Sequence, residues 1–200
     1  MAAFATPSDL ATFLGRDDYT DPTEYRQAKM LLDLASDQVR RWCRQTIDLV
    51  TDDEVVLTGT WAAWLALPER PVIEVTSVAV DGADPLVADV DYELSPDGVL
   101  HAGARVLAGV APTGSTSVAA PHWGGPSARV TVTYTHGFAT VPPSVKAAVL
   151  SMAARAATSP AGVRQESIAG YSVTYADAGV MVRLSDPEMA QLGWLRRRAL

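Results

Sequence analysis

Three histidines, one cysteine and one acidic run are the side chains whose types could support chemistry. His101, His122 and His136 are the only imidazoles, and a neutral imidazole can ligate a metal or act as a general base. Each stands beside turn residues in a region with β patterning, and none shares a ligand-spaced motif with another, so structural or solvated histidines are expected. Cys43 is the sole cysteine, which excludes an intramolecular disulfide and a thiolate metal cluster. It follows Trp42 in a helical pattern with no histidine nearby in sequence, so it is expected to be a small buried apolar residue. Asp52-Asp53-Glu54 offers carboxylates to a cation but lacks the glycine turn and alternate spacing of a calcium loop. A solvated surface is expected there. The chain contains no GxxxxGK[ST], GxGxxG after a strand, HExxH or GxSxG. No catalytic residue, no metal and no cofactor are expected, and the chain does not read as an enzyme.

Composition narrows the classes further. Apolar residues make up 48% of the 200 positions, enough for a real core, but the apolar stretches break within about ten residues. A membrane span needs roughly 20, so none is expected. MAAFATPSDL has neither a basic start nor a long apolar run, so no secretory signal is expected and the protein should stay in the compartment where it is made. Lysine, isoleucine and asparagine, whose codons are AT-rich, are scarce or absent against 14 arginines. A GC-rich genome follows, which fits an actinobacterium or one of its viruses.

Charge is uneven. The net is −1 over residues 1–45, −9 over 46–141 and +3 over 142–200. An acidic middle opposes tight wrapping of nucleic acid, which requires phosphate neutralisation, and suits a surface that DNA passes without sticking.

The elements that position these residues can be read from caps and periodicity. Thr6, Pro7 and Asp9 open a short helix stopped by Gly15, with Leu10, Phe13 and Leu14 on its apolar side. Asp21, Pro22 and Glu24 open a long helix running to about Gln45. Its stripe of Tyr25, Ala28, Leu32, Ala35, Val39 and Trp42 steps by three and four, as a packed face does. Arg26, Lys29, Asp33, Asp37, Arg40, Arg41 and Arg44 lie opposite. A third helix follows Val141-Pro142-Pro143-Ser144 to about Thr158, with Val145, Val149, Met152 and Ala156 on one side and many alanines favouring close approach. Ser185 caps a last helix with Met189, Leu192 and Leu195 on its apolar side. Arg196, Arg197 and Arg198 close it, either complementing its dipole or meeting an acidic partner or DNA.

Between these helices, Val55–Leu57, Val72–Val80, Tyr92–Leu94 and Val130–Tyr134 read as strands separated by Asp81-Gly82, Pro96-Asp97-Gly98 and Gly124-Gly125-Pro126 turns. The segment from Trp61 to Leu67 adds a strand or hairpin, and residues 102–127 read as a long mobile loop. Residues 163–184 alternate again, with Tyr171, Val173 and Tyr175 on one face, as in a hairpin or extended arm. The expected fold is α+β: a helical bundle of about four helices with a β-rich insertion and a C-terminal β arm. Residues 1–45 and 142–200 form the helical body with its arm, and 46–141 the insertion.

This order of elements resembles the head-to-tail connector (adaptor, head completion) proteins of long-tailed phages. The resemblance rests on Pro7–Gly15, Pro22–Arg44, the run from Val130 through His136-Gly137-Phe138 into Val141-Pro142-Pro143, and Glu166–Tyr175 with the end helix, about half of the chain. The β insertion departs from compact helical members. The resemblance implies a virion structural protein with no cofactor. It implies a ring of about twelve copies that docks beneath the portal, extends the DNA channel and meets a stopper or tail-completion protein. Packaged DNA would pass the lumen with weak contact. Such a protein sits at the head-tail interface of the virion, and in the host cytoplasm during assembly, with no membrane association.

Within that frame, Tyr25, Leu32, Val39, Trp42, Val149 and Met152 are the candidates for core or oligomer packing. Tyr171, Val173, Tyr175, Arg196, Arg197 and Arg198 are the candidates for portal docking, because an alternating run can add to a partner's sheet edge and a basic end can be steered to an acidic rim. The rival reading is a monomeric bacterial binding module whose β subdomain holds a carbohydrate or small ligand on Trp61, Trp64 and Trp123. Core packing beside Leu65 and Leu67 is the simpler expectation for Trp61 and Trp64.

Overall fold

The computed structural model describes residues 2–103, 122–158, 165–168, 171–174 and 182–197, with backbone alone described in the two short segments 165–168 and 171–174. The chain divides into two compact units, Met1–Gln45 with Val141–Leu200, and Thr46–Thr140. The first holds four α-helices and the second two small antiparallel sheets, so the fold is mixed α+β.

In the first unit, α1 (Pro7–Phe13) begins in a reciprocal cap: the Thr6 hydroxyl accepts from the Asp9 N–H, and the Asp9 carboxylate accepts from the Thr6 N–H. α2 (Pro22–Cys43) begins with the Asp21 carboxylate accepting from the Thr23 and Glu24 N–H groups. It ends two residues earlier than its pattern suggested, because Arg44 adopts a left-handed conformation (φ 56°) that no helix interior tolerates. Its buried face is Ala28, Leu32, Ala35, Ser36, Val39 and Cys43. Both ends of the expected stripe lie outside this buried face. Tyr25 is 46% exposed, and half-buried Trp42 yields the core position to Cys43.

α3 (Pro143–Thr158) packs chiefly on α2. Val145, Val149 and Met152 are buried, and Ala148 and Ala153 let the backbones approach. α1 contributes Leu10 and Ala11 to this core, while Phe13, expected inside, is 53% exposed. α4 (Asp186–Leu192) continues into a 3₁₀ turn, Gly193–Leu195, which buries Leu192 and Leu195. The interior therefore draws on all four helices. Ser36 is the one buried hydroxyl of α2; it donates to the Leu32 carbonyl and accepts from the Phe4 N–H, pinning the N-terminal segment across the helix. The strands β7 (Gln165–Ile168) and β8 (Tyr171–Thr174) pair antiparallel as a two-stranded arm. No helix among the described residues is long and apolar enough to cross a membrane.

In the second unit, β1 (Val50–Thr58), β6 (Arg129–His136) and β3 (Val72–Val80) form one sheet with β6 in the centre. β2 (Trp64–Ala66), β5 (Val99–Ala102) and β4 (Tyr92–Leu94) form the other. β5 was not expected from the sequence. β6 alternates strictly, burying Val130, Val132, Tyr134 and His136 while Thr131, Thr133 and Thr135 face outward. Val130, Val132 and Tyr134 meet Val78, Leu65, Leu67, Tyr92, Leu100 and Trp123 in one cluster. Trp123 overturns part of the expected 102–127 loop: its ring is fully buried and its Nε1 donates to the Leu100 carbonyl at 3.1 Å. Residues 104–121 of that expectation lie outside the described residues. At the end of β6, Gly137 has φ 89°, and a Cβ there would collide with the Asp48 carbonyl. Its neighbour Phe138 donates to the Ile47 carbonyl at 2.9 Å, so the His-Gly-Phe junction turns where only glycine fits.

Candidate functional site

Among the described residues, the side chains that could do chemistry are not gathered into one centre. His136 is 1% exposed, with Nε2 3.2 Å from Asp53 Oδ2 and its ring tilted on Tyr134. That is the orienting half of a catalytic pair, but the imidazole is closed off from solvent on the core side of β6. His101 and His122 stand apart from it, His101 on β5 and His122 edge-on to Trp61. Asp52, Asp53 and Glu54 lie within β1 rather than in a loop. Asp52 accepts from the Thr76 hydroxyl at 2.9 Å, and its positive φ of 51° marks the bulge that breaks the β1–β6 register. Among the described residues no group of three or more His, Cys, Asp or Glu side chains could hold a metal ion. Cys43 is buried, and burial pushes its thiol up to about 11 against a smaller downward pull from Arg196. It is a packing residue, not a nucleophile.

The C-terminal candidates separate into two kinds of segment. Tyr171 and Val173 lie on β8 opposite Ile168 and Glu166 of β7. Tyr175 and Arg198 lie outside the described residues. Arg196 and Arg197 follow the 3₁₀ turn rather than closing α4. The Arg196 guanidinium sits 5.2 Å over the Trp42 ring, and the Arg197 N–H donates to the Cys43 carbonyl at 2.9 Å. That carbonyl belongs to the last turn of α2, where helix geometry leaves acceptors without intrahelical donors. The basic segment therefore complements the negative end of α2 instead of its own helix.

Two ion pairs fix α3 in the bundle, and neither was evident from spacing. Lys146 donates to Asp9 at 2.8 Å; this bond and the Thr6 N–H hold the Asp9 carboxyl at about 2. Arg155 reaches Glu188, which is 7% exposed. Partners 33 positions apart leave no local signal.

The tryptophans also depart from expectation. Trp61 and Trp64 are 61% and 51% exposed, so core packing does not explain them. Trp61 lies against Gly125, where a Cβ would strike the indole, and adopts a positive φ of 59°. Trp123 is the core residue of the three. Other large apolar side chains that face out are Met30 and Leu34, on the side of α2 opposite its core, and Trp194 after α4.

No protein-family model matches the chain, and no curated protein does. Solved structures share its fold. A chain from the neck of an empty GTA particle, computed with C6 symmetry, is 19% identical, and the alignment covers 98% of this chain and 94% of that one with a TM-score of 0.51. A chain from the virion of the native gene transfer agent particle matches at the same 19%, 98%, 94% and 0.51. At this identity the likeness establishes the fold, over nearly the whole of both chains. Both sources are parts of virus-like particles, one a neck and one a whole virion.

Proposed function

We propose that the chain is a structural neck protein, without catalytic activity, that joins the head of a tailed particle to its tail components. The observation that carries this reading is the fold match to neck and virion chains along 98% of the sequence. In this reading about twelve copies close into a ring beneath the portal, since a closed ring buries a flank on both sides of every subunit and leaves no open end. The outward side of α2, with Met30 and Leu34 exposed, supplies one flank. The acidic residues of the second unit line or approach the lumen, so that packaged DNA moves past with weak contact. The ring lies at the head-tail interface of the virion, assembled in the host cytoplasm, and its lower rim receives a stopper or tail-completion protein. The arginine-rich composition suits a phage of an actinobacterial host.

The portal is assigned to the β7–β8 arm. A two-stranded hairpin is marginal by itself in water and gains most by adding to a partner's sheet. Arg196 and Arg197, held against the end of α2, add a basic segment that orients the approach to an acidic rim. A pull-down of portal protein with the intact chain, compared with a variant lacking Gln165–Thr174, tests the assignment. Capture by both alike would contradict it.

A second reading, a monomeric binding module for a carbohydrate or small ligand, draws on the exposure of Trp61 and Trp64. It requires a chain that ignores portal protein at every concentration and retains a neutral saccharide.

A further inference from the structure

On the β2-β5-β4 sheet, the face turned away from the core carries a row across all three strands. Trp64 of β2 stands opposite His101 of β5, and His101 stands opposite Glu93 of β4. Directly opposed residues share a face with Cβ atoms roughly 4.5–5.5 Å apart, so indole, imidazole and carboxylate are consecutive neighbours. All three are exposed, while the alternate row, Leu65, Leu100 and Leu94, faces the core. The Glu93 end borders a cavity of about 250 Å³ whose lining includes Asp89, Val90, Glu93 and His101. Val87 and Val90, beside Asp89, are more than half exposed. Among the described residues neither Asp89 nor Glu93 takes part in an ion pair. Around them, residues 46–140 carry twelve acidic side chains against three basic ones.

We propose that this row is a docking surface for a basic segment of a partner protein, anchored by arginine. The guanidinium stacks on the open face of Trp64 and donates to the carboxylates of Glu93 and Asp89. Arginine fits better than lysine because its planar, weakly hydrated cation stacks on an aromatic face and presents several donors in one plane. Charge complementarity selects a cationic partner: a neutral sugar gains nothing from the net negative charge, while a guanidinium does. The exposed valines provide an apolar rest for the flanking residues of the segment. This surface is independent of whether copies of the chain close into a ring.

The test uses the full chain and three probes: a blocked Gly-Arg-Gly-Arg-Gly peptide, its lysine counterpart, and chitotetraose as a neutral saccharide. Binding is followed by calorimetry at two salt concentrations, and each variant's melting temperature is measured alongside. The arginine peptide is expected to bind more tightly than the lysine one. Trp64→Ala should weaken it about fivefold, the value of roughly 1 kcal/mol of cation–π attraction, and Trp64→Phe should retain most of the affinity. Glu93→Gln should weaken it at least as much, whereas Glu54→Gln, which removes the same charge from the other sheet, should change it less than twofold. Equal losses in the two glutamate variants would overturn the proposal in favour of diffuse attraction. Chitotetraose binding that depends on Trp64, without peptide binding, would overturn it in favour of a saccharide site, and so would no binding by any probe. Should Trp64→Ala fail to fold, the glutamate comparison decides.

Discussion

Arg155 grips Glu188 through two parallel hydrogen bonds, Nη1 to Oε1 at 2.7 Å and Nη2 to Oε2 at 2.9 Å. The same Nη2 donates to the Arg183 carbonyl at 2.9 Å, and Glu188 also accepts from the Ser185 N–H at 2.8 Å. One planar fork therefore ties the last turns of α3 to the first turn of α4 and to the segment entering it. At the far end of α4, Arg196 and Arg197 rest on the end of α2. The final helix is thus fastened at both ends to the bundle.

That fastening is pH-sensitive in a calculable direction. Burial alone raises the Glu188 carboxyl, but the Arg155 fork and the Ser185 N–H outweigh it and hold it at about 2, below the ordinary 4.5. A carboxylate whose pKa is depressed by folding contributes stability above its unfolded value and loses it as pH falls through the folded one. The contribution should be complete above pH 4.5 and decline toward pH 2. Arg155→Ala should cost about 2–3 kcal/mol at neutral pH, because it leaves a buried carboxylate without its cation. The acid-linked loss below pH 4.5 should shrink or vanish, because Glu188 is then no longer held so far below its ordinary value. Urea melts from pH 2 to 7 check this. Parallel stability curves for parent and variant would contradict it.

The two parts of the C-terminal region should behave differently on deletion. Removing residues 186–200 takes Leu192 and Leu195, both almost fully buried, together with the Glu188 pair, and should unfold the bundle or lower its melting temperature by well over ten degrees. Removing residues 165–174 takes the β7–β8 pairing and should leave the melt nearly unchanged while abolishing attachment to portal-bearing heads. Normal attachment by the second variant would move the docking element elsewhere.

Three substitutions in α2 separate its faces. Leu32 is fully buried, so Leu32→Asp should cost several kcal/mol. Arg26, whose exposed side chain only bonds back to the Pro22 carbonyl, should tolerate alanine at under about 0.5 kcal/mol. Leu34→Asp, at a position 45% exposed, should leave the isolated chain stable and impair assembly. Thermal melts paired with assembly yields check all three. Equal melting losses at Leu32 and Leu34 would mean that the outward face is not free.

Local chemistry was legible in advance and long-range chemistry was not. Thr6, Asp21 and Ser185 sit at helix starts because a cap is decided within four residues. The alternation from Val130 to Tyr134 announced a strand for the same reason. Trp123 looked like part of a loop because its flanks are glycine, proline and alanine; its burial depends on Leu100, 23 positions away. Trp61 and Trp64 looked apolar enough for a core, yet Trp64 falls on the outward parity of a three-residue strand whose partner, β5, lies between two glycines and carried no clear pattern. Arg155 and Glu188 meet only because α4 returns to α3. As for the candidate site, the sequence pointed to the arm and the basic end, but the anchoring of Arg196 and Arg197 on α2 depends on the same return.

Contact with DNA should be weak. A lumen presenting even one or two uncompensated carboxylates per copy repels phosphate, so affinity of the chain for duplex DNA should be low and fall further with salt. Nanomolar binding at physiological salt would favour a DNA-clamping role instead.

The central claim is tested most directly by imaging portal-bearing heads after incubation with the purified chain, with rotational symmetry left free during reconstruction. A ring of about twelve copies seated beneath the portal and continuous with its channel is expected, and it should disappear when Gln165–Thr174 is removed. Heads that show a bare portal at saturating concentrations of the intact chain would contradict the claim.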